Sequence, residues 1–277
     1  LPQLNPQDSR QGNVRAIFEA RLVENVRDRR VAKLGVFDDV LNQIFAIKEE
    51  LKRYPDFRVS KSGPELFWEE ESTLILEEET AVELGDPRAG SLMTLLWGDP
   101  SLIEDGTIAL AGPDLSECTQ RKIPFGLVIL AGAQFPDEYE FFRNLKDAFY
   151  AVKLKGFMAR MLPSRNTIWC RVSKDAILQG FTLFHLGNAV IDSIKKVPGV
   201  SAAQVIMVTS TKEQVEKLKT VAEGAKRIVD AMVKMYSELN FDCESCDYRD
   251  VCETVNELKR IRDRLRKKVG DRQEDRR

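Results

Sequence analysis

The chain of 277 residues has one histidine, His185, and that scarcity removes whole classes of chemistry. A zinc site built on a histidine pair is excluded. A Ser-His-Asp arrangement would have to run through His185, with no G-x-S-x-G turn to present the serine. The sequence has no G-x-x-x-x-G-K-[ST] phosphate loop and no G-x-G-x-x-G opening a helix, so the usual nucleotide cradles are missing. No apolar run reaches the roughly 18 residues of a membrane helix. A formal net charge of -2 supplies no broad positive field for nucleic acid or a membrane surface, and neither is expected as a partner. Cysteine is limited to five residues. With no hydrophobic leader in the sequence, the expected location is the cytoplasm, where thiols stay reduced. The first residue is Leu1 and not methionine, which fits a trimmed product or a piece of a longer chain.

What is present is a globular composition, 43% hydrophobic and 31% charged, long enough to bury a core. Residues 1 to 12 are polar and carry two prolines. From Asn13 to Tyr54 apolar residues recur at three- and four-residue steps, which predicts two helices broken near Gly35 and stopped by Pro55. Residues 57 to 112 hold short β-type runs between Gly and Pro turns: Leu74 to Leu76, Ala81 to Leu84, Leu92 to Trp97 and Thr107 to Leu110. They are expected to form a small antiparallel sheet. The pattern then alternates. Strands are predicted at 125–131, 167–172 and 204–209, with helices at 137–161, 186–196 and 212–239. A basic helix over 255–268 follows, read as a solvated face. The expected class is α+β, divided into an N-terminal helical segment (1–56), an α+β domain (57–211) and a tail (212–277).

Three of the five cysteines fall within ten residues, in the run Phe-Asp-Cys243-Glu-Ser-Cys246-Asp-Tyr248-Arg-Asp-Val-Cys252. Thiolates are soft ligands suited to iron-sulfur clusters or zinc, and a C-x2-C step brings two sulfurs to one centre without strain. The charged flanks are unlike those of core cysteines. Zinc sites usually show a second C-x2-C or a histidine pair, so a 4Fe-4S cluster is favoured over zinc, with free surface thiols as the plain reading. A fourth ligand would come from Cys118 or Cys170. Cys118 is preferred because a thiol on a loop turns toward a cluster more easily than one on a strand. Such closure would clasp the tail to the body.

A second constellation is Arg165-Asn-Thr-Ile168-Trp169-Cys170-Arg171-Val172-Ser173-Lys174. On a strand Trp169 and Arg171 share one face, and Ile168, Cys170 and Val172 share the other. Guanidinium and indole together suit a phosphate-bearing cofactor, or else Arg171 and Lys174 pair with acids on the neighbouring strands while Trp169 fills the core edge. His185, between Phe184 and Leu186, reads as a packed or hydrogen-bonded core residue. The acidic triplets Glu69 to Glu71 and Glu77 to Glu79 read as solvated, and no catalytic residue is assigned.

This stretch, with Gly180-Phe181 and His185-Leu186-Gly187 after it, resembles the middle domain of the acetyl-CoA synthase subunit of the carbon monoxide dehydrogenase/acetyl-CoA synthase complex. Gly112-Pro113-Asp114, Ile123 to Val128 and Thr80 to Gly85 agree, so the similarity spans roughly residues 65 to 210. The resemblance implies an α+β domain in one-carbon metabolism and a place for coenzyme A at Arg165, Trp169 and Arg171. It also implies partners among the subunits of such a complex or an electron-transfer protein. The Cys-Gly-Cys of that family's nickel cluster is absent here, and the chain ends 25 residues after Cys252, so a complete synthase is not expected. The tail motif of Cys243, Cys246, Tyr248 and Cys252 is also similar to the cluster-binding end of nucleases related to the RecB family. The acids and lysine that such nucleases need have no convincing copy in the sequence.

Overall fold

Four runs are apolar on both faces: Ser91–Gly98 (β3), Thr107–Ala111 (β4), Phe125–Ala133 (β6) and Val200–Val208 (β9). Strands of this composition belong in a sheet covered on both sides. In the computed structural model, which describes residues 35–63, 80–118, 122–135, 137–162, 166–237 and 243–274, they form the centre of a mixed sheet. Its order is β1-β4-β9-β6-β3, with β1 at Phe57–Lys61. β4 runs parallel to β9 and β3 parallel to β6, while β6 and β9 are antiparallel, as are β1 and β4. A second, four-stranded sheet has the order β5-β2-β8-β7, from Lys122–Ile123, Ala81–Leu84, Thr167–Ser173 and Phe157–Leu162.

Seven described α-helices accompany the sheets: α1 Asp38–Leu51, α2 Glu138–Tyr150, α3 Lys174–Leu178, α4 Leu183–Lys195, α5 Lys212–Ser237, α6 Arg249–Thr254 and α7 Asn256–Glu274. The class is α+β, as expected. α4 packs on β9 and β4, α5 on β3 and β6, and α1 on both α5 and β3. Gly35–Arg277 makes one compact unit. Of the two helices expected in 13–54, the first lies outside the described residues and the second is α1. The run Leu74 to Leu76, the acidic triplets and Arg165 also lie outside the described residues.

Two expectations are corrected. The strands of 57–112 do not make a sheet of their own: β1, β3 and β4 join β6 and β9, while β2 pairs with β8. Side-chain alternation identifies a strand but carries no information about a partner a hundred residues away. The helix expected to reach Met161 ends at Tyr150, and Phe157–Leu162 is instead the edge strand β7, paired along its length with β8. Past that end, Gly156 keeps the helix from resuming before β7, at φ +71 and with Ala176 so near that a Cβ would come within 2.6 Å of it. A left-handed residue interrupts a helix, and only glycine takes that conformation without strain.

The two sheets are hydrogen-bonded to each other where β3 meets β8. The hydroxyl of Ser91 on β3 donates to the Ile168 carbonyl on β8 at 2.6 Å and accepts from the Ile168 N–H at 3.0 Å. Gly85 sits at the same junction with φ +75, where a Cβ would stand 2.2 Å from that carbonyl oxygen.

Candidate functional site

The tail is held by α5, whose buried Val215, Leu218, Ala222, Ala225, Ile228, Ala231, Met232 and Met235 follow the three- and four-residue spacing of a single helical stripe. α6 and α7 pack on that helix and on each other. Buried Cys252, Leu258 and Ile261 belong to the same continuous core. Ion pairs from Arg227 to Asp250 at 2.9 Å and Arg249 to Glu253 at 2.8 Å are exposed and contribute little beyond orientation.

This packing brings Cys243, Cys246 and Cys252 to the wall of one cavity of about 220 Å³. Cys243 and Cys246 lie on the turn before α6 and Cys252 within it, where its N–H donates to the Tyr248 carbonyl at 3.0 Å. Lys234 from α5, Arg249 from α6, and Arg262 and Arg266 from α7 line the same space. Arg266 Nη2 donates to Cys243 Sγ at 3.1 Å. Burial, followed by the neighbouring Cys246, pushes the Cys252 thiol up from its ordinary value, while Arg262 pulls it down. Among the described residues no three His, Cys, Asp or Glu side chains are grouped so as to hold a metal ion. The three thiols share a cavity wall without being drawn together on a point.

The basic helix of the sequence thus has two roles on two faces. Arg262 and Arg266, one turn apart, turn their charge to the sulfurs, although the run read as solvated. The four-residue spacing of these arginines was a usable signal, but only the packing of α7 on α5 shows that this face meets the cysteines.

Neither Cys118 nor Cys170 is among the residues lining the cavity. Cys118 follows the 3-10 turn Leu115–Glu117, and its thiol donates to the Asp114 carbonyl at 3.3 Å. Burial and then the carboxylates of Asp114 and Glu117 push it up from 9.0 to about 11. Cys170 is fully buried on β8, and burial raises it strongly. For Cys118 the folded state holds its proton more tightly than the unfolded chain. That contribution to stability is complete below pH about 9 and is lost as pH rises to about 11. Denaturation across that range is expected to show a declining stability whose slope is shallower in Cys118→Ser. An identical slope in the two proteins would rule this out.

The cationic strand has the alternation expected of it, with Ile168, Cys170 and Val172 buried and Trp169 and Arg171 half-buried on the other face. Arg171, however, directs Nε and Nη2 to Oε1 of Glu83 at 2.8 and 2.6 Å. Glu83 is its register partner on β2, with a side chain only 5% exposed. The guanidinium also lies 4.6 Å from the Trp169 ring, with Arg160 at 5.9 Å. The ion-pair reading of Arg171 describes this geometry. His185 accepts the Thr182 N–H on Nδ1 at 3.0 Å and so caps the start of α4. Burial lowers its pKa. Buried Asp114 accepts from Leu115 and Leu183 N–H groups at 2.7 and 2.9 Å and fixes the entry to that helix.

Comparison with known proteins places these observations in context. Residues 67–215 match the family model of the CO dehydrogenase/acetyl-CoA synthase complex beta subunit. The chain is 31% identical over 149 residues to the acetyl-CoA decarbonylase/synthase complex subunit beta of Methanopyrus kandleri, which is 53% of this chain and 31% of that protein. It is 33% identical over 145 residues to the same subunit of Methanothermobacter thermautotrophicus, covering 51% of this chain and 31% of that protein. Similarity to the carbon monoxide dehydrogenase/acetyl-CoA synthase subunit alpha of Moorella thermoacetica is 26% over 180 residues, 64% of this chain and 24% of that one. The matches span about a quarter to a third of these relatives' length. The family match ends at residue 215, before the cysteine cavity begins.

Proposed function

Because the chain belongs to the CO dehydrogenase/acetyl-CoA synthase complex beta subunit family, we propose that it is an iron-sulfur component of a system of that type, acting with partner subunits. Cys243, Cys246 and Cys252 would hold a 4Fe-4S cluster, and the cluster would supply one-electron transfer in addition to fastening the tail. The observation that carries this reading is the sharing of one cation-lined cavity by three thiols.

Three cysteine thiolates are the donor type that such a group takes. A single zinc ion needs its donors about 2.3 Å from one point, whereas a four-iron cluster takes its thiolates on separate irons around a body. The sharing of one cavity by three thiols is what supports the second arrangement. Lys234, Arg249, Arg262 and Arg266 offset the negative charge of thiolates, and the Arg266 N–H on Cys243 Sγ is the kind of sulfur hydrogen bond that tunes a cluster's potential. What this chain's residues do is bind, orient and neutralise. No helix among the described residues is long and apolar enough to cross a membrane.

Anaerobic reconstitution with iron and sulfide, followed by metal analysis and visible absorption, tests the proposal. About four irons per chain and a broad band near roughly 400 nm are expected, with both lost in Cys246→Ser. A colourless protein with one zinc per chain would instead establish a non-catalytic zinc-stabilised module, and protein with neither metal would leave the thiols free.

A further inference from the structure

We infer that a second cavity, enclosed by β3, α2, β7 and α5, binds a small monocarboxylate with an apolar body, the body lying among the apolar side chains and the carboxylate on Lys146.

The walls come from four elements. Met93 and Leu95 of β3, Phe142 of α2, Met161 of β7 and Val229 of α5 line a space of about 230 Å³. Met93, Phe142, Met161 and Val229 are only half-buried, although each packs against the main core. Apolar surface left uncovered around one hollow, with a few polar groups among it, is the usual form of a small-molecule site. Two of the wall residues are methionines, whose unbranched chains adjust to the shape of a guest. In proportion to a cavity of roughly 150 Å³ that holds benzene, this one takes roughly nine non-hydrogen atoms.

The hollow does not depend on a guest for its shape. The Met93 N–H donates to the Asn166 carbonyl at 2.9 Å, and Asn166 Nδ2 donates to the Ala222 carbonyl at 3.0 Å. These two bonds pin the segment entering β8 to both β3 and α5. A site formed in advance loses less of its binding free energy to ordering.

Charge selects the guest. The ionic groups that line the cavity are Lys146, Lys226 and Asp230. Lys226 is paired with Asp230, one turn along α5. Lys146 has no carboxylate partner among the described residues, and its ammonium group lies over the Phe142 ring at 6.0 Å from the centroid. One positive charge is thus left unbalanced and half-buried beside an apolar hollow. A carboxylate supplies the single negative charge and a charge-assisted hydrogen bond, whereas a phosphate monoester would bring nearly two charges.

The α5 wall, residues 225 to 233, lies beyond residue 215, where the family match ends, so that match does not assign this site. α5 also turns Ala231, Lys234 and Met235 to the cysteine cavity, so the two cavities take different residues of one helix and this one involves no thiol.

The test is a fluorine NMR titration of the full chain with 4-fluorophenylacetate, and with 4-fluorophenylacetamide as its neutral counterpart. The wild-type chain is expected to broaden the carboxylate signal and to bind it about tenfold more tightly than the amide, the effect of one charge-assisted hydrogen bond. Lys146→Met should erase that preference and leave amide binding unchanged, a split that general loss of structure would not produce. Val229→Trp, which fills the hollow from α5, should abolish binding of both probes with the circular dichroism spectrum preserved. Acetate, which has no apolar body, should fail to displace the probe. A wild-type chain that leaves the signal sharp overturns the inference, as does equal affinity for the two probes or a preference that survives Lys146→Met. Binding retained by folded Val229→Trp would put the probe elsewhere and overturn it too. Should that variant not fold, the Lys146→Met comparison decides alone.

Discussion

Arg171→Met is expected to destabilise the fold by about 3 kcal/mol in chemical denaturation, and Arg171→Met with Glu83→Gln by much less. Glu83 has a side chain only 5% exposed, and its two charge-assisted bonds come from one guanidinium. Taking away one partner of a buried pair leaves an uncompensated charge, which costs about 3–5 kcal/mol, whereas neutralising both is often close to neutral. The lower end of that range applies because Lys122 Nζ stands 3.8 Å from the other Glu83 oxygen. The result bears on function as well as stability. An arginine held this way is committed to the β2–β8 pairing, and the phosphate-binding role that the family resemblance implies would require it to leave Glu83. If the single variant unfolds within experimental error of the wild type, the ion pair is not what holds this strand pair and a ligand role regains ground. Quenching of Trp169 fluorescence by coenzyme A, absent in the same variant, would then be the observation to look for.

The second large effect is at Trp97, where Trp97→Ala should cost about 3–5 kcal/mol, the range for deleting a large aromatic side chain from a core. The indole is 1% exposed at the end of β3 and packs edge-on against Phe37 at 4.5 Å and Phe141 at 5.9 Å. It therefore joins the region entering α1, the five-stranded sheet and α2 in one contact set. Its Nε1–H donates to Oε2 of Glu138 at 2.6 Å, a carboxylate that is itself buried. Trp97→Phe separates the two contributions, since it keeps most of the ring packing and removes the donor. A loss of about 1–3 kcal/mol is expected from the hydrogen bond alone. A Trp97→Ala protein whose denaturation midpoint matches that of Trp97→Phe would show that the hydrogen bond, and not packing, carries the site.

Local physics explains which parts of this molecule were legible beforehand. β8 was readable because alternation of small and large, polar and apolar residues is a property of the strand itself, and Thr167–Ser173 has it. α5 was readable because its apolar stripe, from Val215 to Met235, repeats over about six turns. The end of α2 was not, because Phe141, Leu145, Phe149 and Val152 keep three- and four-residue steps up to the loop before Gly156, and nothing local reveals that β8 offers a strand partner to Phe157–Leu162. The mixed topology of the larger sheet was equally hidden. β4 finds β9 across nearly a hundred residues, and that choice depends on which apolar faces are covered together.

At the candidate site the division is the same. The sequence by itself determined that three soft donors fall within ten residues, that a zinc site on a histidine pair is closed to this chain, and that a charged helix follows, because these depend on residue type and spacing alone. Only the tertiary structure decided what faces the sulfurs. Packing α6 and α7 onto α5 buries their apolar side, and that single choice of face brings Arg262 and Arg266 to the cysteine cavity, Arg266 onto Cys243, while Cys118 and Cys170 stay with their own turn and strand. Burial of an apolar stripe fixes the rotation of a helix about its axis, and the rotation determines which charges a cavity receives.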